Sequence, residues 1–130
     1  MNPVVHFEMP AVDRQRMADF YSKTFGWQTQ VLGEEMGGYV LATTAESDET
    51  GRPKTPGSIN GGFYQRTDDP LSHAPSVVIA VEDLDAHMKK VTDGGGKIIG
   101  EPMMIPGIGM WVSFYDTEDN RISMLQPLMQ

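Results

Sequence analysis

Residues 76–96, SVVIAVEDLDAHMKKVTDGGG, hold an apolar run, a short break and an amphipathic stretch closed by three glycines. Ser76–Val81 reads as a strand. Asp83 reads as the N-cap of a helix whose apolar face is Leu84, His87, Met88 and Val91. Gly94-Gly95-Gly96 ends that helix. Residues 4–26, VVHFEMPAVDRQRMADFYSKTFG, repeat the order. Residues 4–9 read as a strand stopped by Pro10. Asp13 is the N-cap of a helix over about 14–24, with Met17, Phe20, Tyr21 and Phe25 near helical spacing, and Gly26 closes it. Asp83 and Gly96 stand 70 positions after Asp13 and Gly26.

Outward from these two segments the order continues in parallel. Trp27–Val31 and Gly38–Thr43 read as strands joined by a turn bracketed by Gly33 and Gly37. Residues 44–57, TAESDETGRPKTPG, read as a mobile polar loop, Ile59–Gln65 as a strand and 66–74 as a polar linker. In the second half Lys97–Gly100 reads as a strand, and EPMMIPG as a proline-punctuated connection. Gly109–Tyr115 is an alternating strand, Asp116–Asn120 a turn and Arg121–Gln126 the last strand. Each half is strand, helix, strand, strand, strand. The expected class is α+β: one domain over 1–130, module 1 about 1–66 and module 2 about 75–130. Two paired βαβββ modules form a curved mixed sheet around a cleft, with the helices on the outer face.

Composition narrows the function classes. The chain of 130 residues carries 10 Lys+Arg against 18 Asp+Glu, a formal net charge of −8. Nucleic acid and anionic lipid need basic patches, so neither is an expected partner. There are no cysteines, which excludes thiolate metal sites, disulfides and cysteine nucleophiles. The first residues lack a basic segment followed by a long apolar one, and no apolar run approaches the length of a membrane span. A cytoplasmic location is expected.

Alternation then sorts side chains by face. In the first strand Val5, Phe7 and Met9 suit packing against a helix, which turns His6 and Glu8 toward the cleft. In Gly109–Tyr115 the apolar Met110, Val112 and Phe114 are core, and Trp111, Ser113 and Tyr115 face the cleft. In the last strand Ile122 and Met124 are core and Arg121, Ser123 and Leu125 face inward. In Ser76–Val81 the inward set is Ser76, Val78 and Ala80. His6 and Glu8 are thus a candidate acid/base dyad in which Glu8 orients the imidazole. Trp111 and Tyr115 are aromatic walls suited to a planar or cationic ligand. Phe63, Ser76, Ser113, Arg121 and Ser123 complete the expected ligand contacts. Phe63, Tyr39 and Trp27 have no face fixed by pattern. The 10 methionines suit core filling, with Met103, Met104 and Met110 as a candidate adaptable rim.

Particular residues carry a family resemblance: the opening VVHFEMP, the helix end FYSKTFGW, the strand NGGF, the helix start VEDLDA, the turn GGGK and the closing DTEDNRISMLQ. In this order they resemble the vicinal oxygen chelate superfamily, which includes glyoxalase I, bleomycin-resistance proteins and extradiol dioxygenases. The likeness to its glyoxalase-like branch runs over nearly the whole chain. It implies paired βαβββ modules, and usually a homodimer. Catalytic members hold one divalent metal with His and Glu side chains from four strands. Carried over by position, the first ligand is His6. The second falls near Gly61 or Gly62, the third at Ser76 and the fourth at Ser123. One of the four expected ligands, His6, remains, whereas a catalytic metal site needs about three. No metal or other cofactor is therefore expected.

Two readings stay open at this point. The first is a metal-free cleft that binds a small organic molecule, cationic or aromatic, without chemistry. The second is a lyase, isomerase or dioxygenase-type enzyme with His6 as acid/base or metal ligand. An accessory module whose cleft has drifted is a third.

Overall fold

In a computed structural model, residues 1–34 and 37–128 are described. The last two positions of the expected second module lie outside them. Eight strands and two α-helices follow the order β1 (Val4–Ala11), α1 (Arg14–Phe25), β2 (Gln28–Val31), β3 (Val40–Thr43), β4 (Asn60–Gln65), β5 (Ser76–Ala80), α2 (Leu84–Asp93), β6 (Lys97–Ile105), β7 (Gly109–Tyr115) and β8 (Arg121–Pro127). The class is α+β, and each half has the βαβββ order. Among the described residues no helix is long and apolar enough to cross a membrane.

The chain forms two compact units, His6–Pro75 on the one hand and Ser76–Gln130 with Met1–Val5 on the other. The division falls between Pro75 and Ser76, and the 66–74 segment stays with the first of these units. The first five residues, however, join the second unit, where Ala80 N–H donates to Pro3 C=O at 2.9 Å.

In the first unit β1 runs parallel to β4, and β3 lies antiparallel between β4 and β2. Helix α1 covers one face. Its core is Ala11, Ala18, Val40, Ala42 and Phe63, with Phe7, Met9, Met17, Tyr21 and Trp27 packed around them. Tyr21 stacks on Trp27 with ring centroids 4.6 Å apart. Phe20 and Phe25, though near helical spacing with Met17 and Tyr21, are exposed. The Asp13 side chain accepts from Arg16 N–H at 3.0 Å, and Gly26 turns into the left-handed region at φ 75°, which only glycine enters without cost.

The second unit has the same plan: β5 parallel to β8, β7 antiparallel to β8, and β6 antiparallel to β7. Helix α2 packs over Val81, Leu84, Val112, Phe114 and Met124. Its N-cap is Asp83, accepting from Ala86 N–H at 3.1 Å. Both caps therefore sit where the 70-residue offset put them. The helix ends do not match, because α2 stops at Asp93 and is capped by Gly94, two residues before Gly96.

Two expected boundaries moved, and one expected loop is internally bonded, each for a physical reason. Pro10 does not end β1. Ala11 C=O still accepts from Arg66 N–H at 2.9 Å, so the alternation points the missing N–H of Pro10 away from β4. Strand β6 continues through Pro102 to Ile105, because it is a sheet edge and its register shifts between Ile99 and Met103, a bulge that absorbs the proline. Residues 44–57 are not a featureless loop. Asp48 accepts from Thr50 N–H at 2.8 Å and Arg52 N–H at 3.1 Å, Ser47 bridges to Pro53, and Lys54 pairs with Glu46 at 3.2 Å. Asn60 ties this segment to β4, accepting from Thr44 N–H at 2.9 Å and donating to Ser47 Oγ at 2.9 Å and Gly51 C=O at 3.1 Å.

Candidate functional site

The site begins with the alternation of β1. Phe7 and Met9 pack with α1, so His6 and Glu8 project from the opposite face. The same rule on β3 sends Val40 and Ala42 into the core and turns Tyr39 and Leu41 to the His6 side. On β4, Phe63 is fully buried in the core at 0% exposure, and Gly62 faces the other way, in register with Glu8 and Leu41. Phe63 accordingly has no surface for a ligand. Its expected place among the ligand contacts is corrected: a helix-side core position holds it against Tyr21 and Trp27.

Tyr39 brings the polar groups together. Its hydroxyl lies 3.2 Å from His6 Nε2 and donates toward Glu8 Oε2 at 3.5 Å. With the imidazole protonated on Nε2, a chain of donors runs from His6 through the phenol to the carboxylate. A Cβ at Gly62 would overlap the Tyr39 ring and hydroxyl, so the phenol occupies the volume a side chain there would need. Burial pulls the His6 pKa down to about 4. Burial first, and then the Glu8 charge and hydrogen bond, raise Tyr39 well above the ordinary tyrosine range. Both groups are therefore neutral at neutral pH. General acid/base catalysis works best when a group's pKa lies near the working pH, and both are displaced from it.

The sequence pattern finds His6 and Glu8 on one face but leaves Tyr39 unassigned. Its signal is the small apolar alternation of Val40 and Ala42, together with the side-chain-free Gly62 on the neighbouring strand.

The remaining expected contacts lie in the second unit. Ser113 and Ser123 are opposite each other on β7 and β8, and their hydroxyls bond at 2.9 Å. At 1% and 2% exposure they are buried, each satisfying the other, and offer no free surface to a ligand. Val78 continues that buried row on β5. Trp111, Tyr115, Ser76 and Arg121 are half-buried, with Arg121 opposite Tyr115 in register. His73 bonds Thr67 C=O at 2.8 Å, and His87 bonds the sequence-distant Asn2 Oδ1 at 3.2 Å.

The donor set does not fit a divalent ion. His6 and Glu8 supply one imidazole and one carboxylate, and Tyr39 fills the place of the next ligand at Gly62. The third and fourth positions are Ser76 and the buried Ser123. Among the described residues no group of three or more His, Cys, Asp or Glu is placed to hold a metal.

Comparison with known proteins places the whole chain. The model of the Glyoxalase/Bleomycin resistance protein/Dioxygenase superfamily matches residues 4–124. A glyoxylase-like domain-containing protein of Didymella fabae is 31% identical over 116 residues, covering 87% of this chain and 84% of that protein. The anthracycline biosynthesis protein DnrV of Streptomyces peucetius is 30% identical over 125 residues, covering 85% of this chain. This chain spans 42% of DnrV's length. The methylmalonyl-CoA epimerase of Mycobacterium tuberculosis shares the fold, with TM-score 0.66 at 15% identity over 95% of this chain and 87% of that one. The chain belongs to the glyoxalase/bleomycin resistance protein/dioxygenase superfamily.

Proposed function

We propose that this protein binds a small organic molecule, without a resident metal, through the strand face that carries His6, Tyr39 and Glu8. The observation that supports this reading is the Tyr39 phenol seated over Gly62 between imidazole and carboxylate. A metal ligand projecting from β4 would collide with it. The polar groups instead form a neutral donor chain ending in one carboxylate, which suits recognition by hydrogen bonding more than proton transfer. The kinship with DnrV, a protein named for anthracycline biosynthesis, is in keeping with a small organic ligand. The assembly we infer is a homodimer, working in the cytoplasm.

The test is metal content of the purified protein, followed by melting curves with Ni, Zn, Mn, Fe(II) and Mg after chelation. The expected result is no stoichiometric metal and no ion-specific shift. Stoichiometric metal whose stabilisation disappears in His6→Ala overturns the reading. So does turnover of a 2-oxo compound that depends on His6.

A further inference from the structure

The two helices hold equivalent places in the repeat, yet their outward faces differ. On α2 no large apolar side chain is exposed, and Lys89 pairs with Asp93 one turn on at 2.7 Å. On α1 Phe20 is 54% exposed, and the offset of 70 residues that relates the caps Asp13 and Asp83 puts Lys90 at its place in α2. An exposed phenylalanine there is no requirement of the fold. Phe20 lines a shallow depression with Asp13, Gln15, Arg16, Asp19 and Lys23. Phe25, itself exposed, borders it, with its ring centroid 6.4 Å from that of Phe20. The charges around Phe20 are also left open. Asp19 and Lys23 stand four apart, like Lys89 and Asp93, and in the order that better suits a helix. They form no ion pair: Asp19 accepts instead from Gln15 Nε2 at 3.0 Å. Among the described residues Arg16 is in no ion pair either.

We propose that this face of α1 is the contact between two copies of the chain, with α1 antiparallel to α1 of the other copy about a two-fold axis beside Phe20. The inference rests on the homodimer reading and names its surface. A two-fold contact sets one patch against itself, so the patch must be self-complementary. Positions 16, 19, 20 and 23 share one helix face. The two Phe20 rings meet near the axis, and Asp19 of each copy faces Lys23 of the other. That gives two intermolecular ion pairs around an apolar centre. Two acids, Asp13 and Asp19, balance two bases, Arg16 and Lys23, so the face favours neither a polyanion nor a polycation. A helix of 12 residues is about 18 Å long, so the contact is small and the dimer weak and concentration-dependent.

Sedimentation of the full chain from low micromolar to millimolar concentration, at low salt, tests this. Asp19→Lys and Lys23→Glu each set like charges opposite one another, and each is expected to weaken self-association at least tenfold. Mixing the two variants in equal amounts restores it: the introduced charges then oppose each other, and so do the remaining native Lys23 and Asp19. Asp85→Lys, at an exposed acid on α2, changes the net charge as Asp19→Lys does and leaves association intact. Circular dichroism shows whether each variant is folded. If either single variant is not, Phe20→Lys, which copies the second module, takes its place and is expected to leave monomer. A dimer that survives these substitutions, equal loss in Asp85→Lys, or no restoration on mixing the folded single variants overturns the proposal alone. A wild-type chain that stays monomeric throughout defeats the homodimer reading, and this inference with it.

Discussion

The Tyr39 hydroxyl and the missing side chain at position 62 depend on each other. Gly62→Ala places a methyl group in the volume of the phenol and forces Tyr39 away from His6 and Glu8. Overpacking of this kind costs about 1–3 kcal/mol. The expected loss shrinks when Gly62→Ala is made in a Tyr39→Ala background, which denaturant titration of the double-mutant cycle measures. His6 gives a second expectation. Its folded pKa of about 4 lies below the unfolded value of about 6.5, so between those limits the unfolded chain binds the extra proton. Stability therefore rises with pH across that window, by up to about 3 kcal/mol, and gains nothing further from this group above it. The carboxyls of Asp48 and Asp116, held below their ordinary value by hydrogen bonds, add acid sensitivity only at lower pH. His6→Asn flattens the 4–6.5 window, as read from urea midpoints at stepped pH. At this scale parity made His6 and Glu8 legible. Phe63 and Tyr39 were not: Gly61 and Gly62 interrupt the apolar alternation that would have fixed the face of Phe63, and Tyr39 leads into β3, where Val40, Leu41 and Ala42 are apolar on both faces.

The elements were legible wherever chemistry is local. Two aspartate caps stand 70 residues apart, and both were readable because a carboxylate before an amphipathic stretch has few other uses. Strand ends at prolines were not. Whether Pro10 or Pro102 stops a strand depends on which side its missing N–H faces, and that is set by neighbours distant in sequence. The pairing of β7 with β8 explains why the inward-facing serines offer no ligand surface. Ser113→Ala or Ser123→Ala leaves one buried hydroxyl without its partner, a cost of about 1–3 kcal/mol. The double alanine variant is expected to cost less than the sum of the singles, and thermal unfolding of the four proteins checks it.

The molecule as a whole was the most legible level for fold and the least for function. The repeated order of elements requires only coarse hydropathy and turn residues, which survive wide sequence change. The site depends on one phenol whose position is decided by a glycine on another strand. The kinship with the superfamily assigns the architecture, and the positions at which the resemblance implies metal ligands carry His6, Gly62, Ser76 and Ser123 in this chain.

The membership of Met1–Val5 in the second unit has a consequence for the order of synthesis. Residues 6–75 are contiguous and complete their own unit as soon as they emerge. The five before them wait for Ala80, the partner of Pro3. Once Pro75 has emerged, five further residues are needed, which at ribosomal rates of about 5–20 residues per second takes roughly 0.3–1 second. For that time the nascent chain carries a finished module with an unclaimed strand end at its front, available to whatever meets it first.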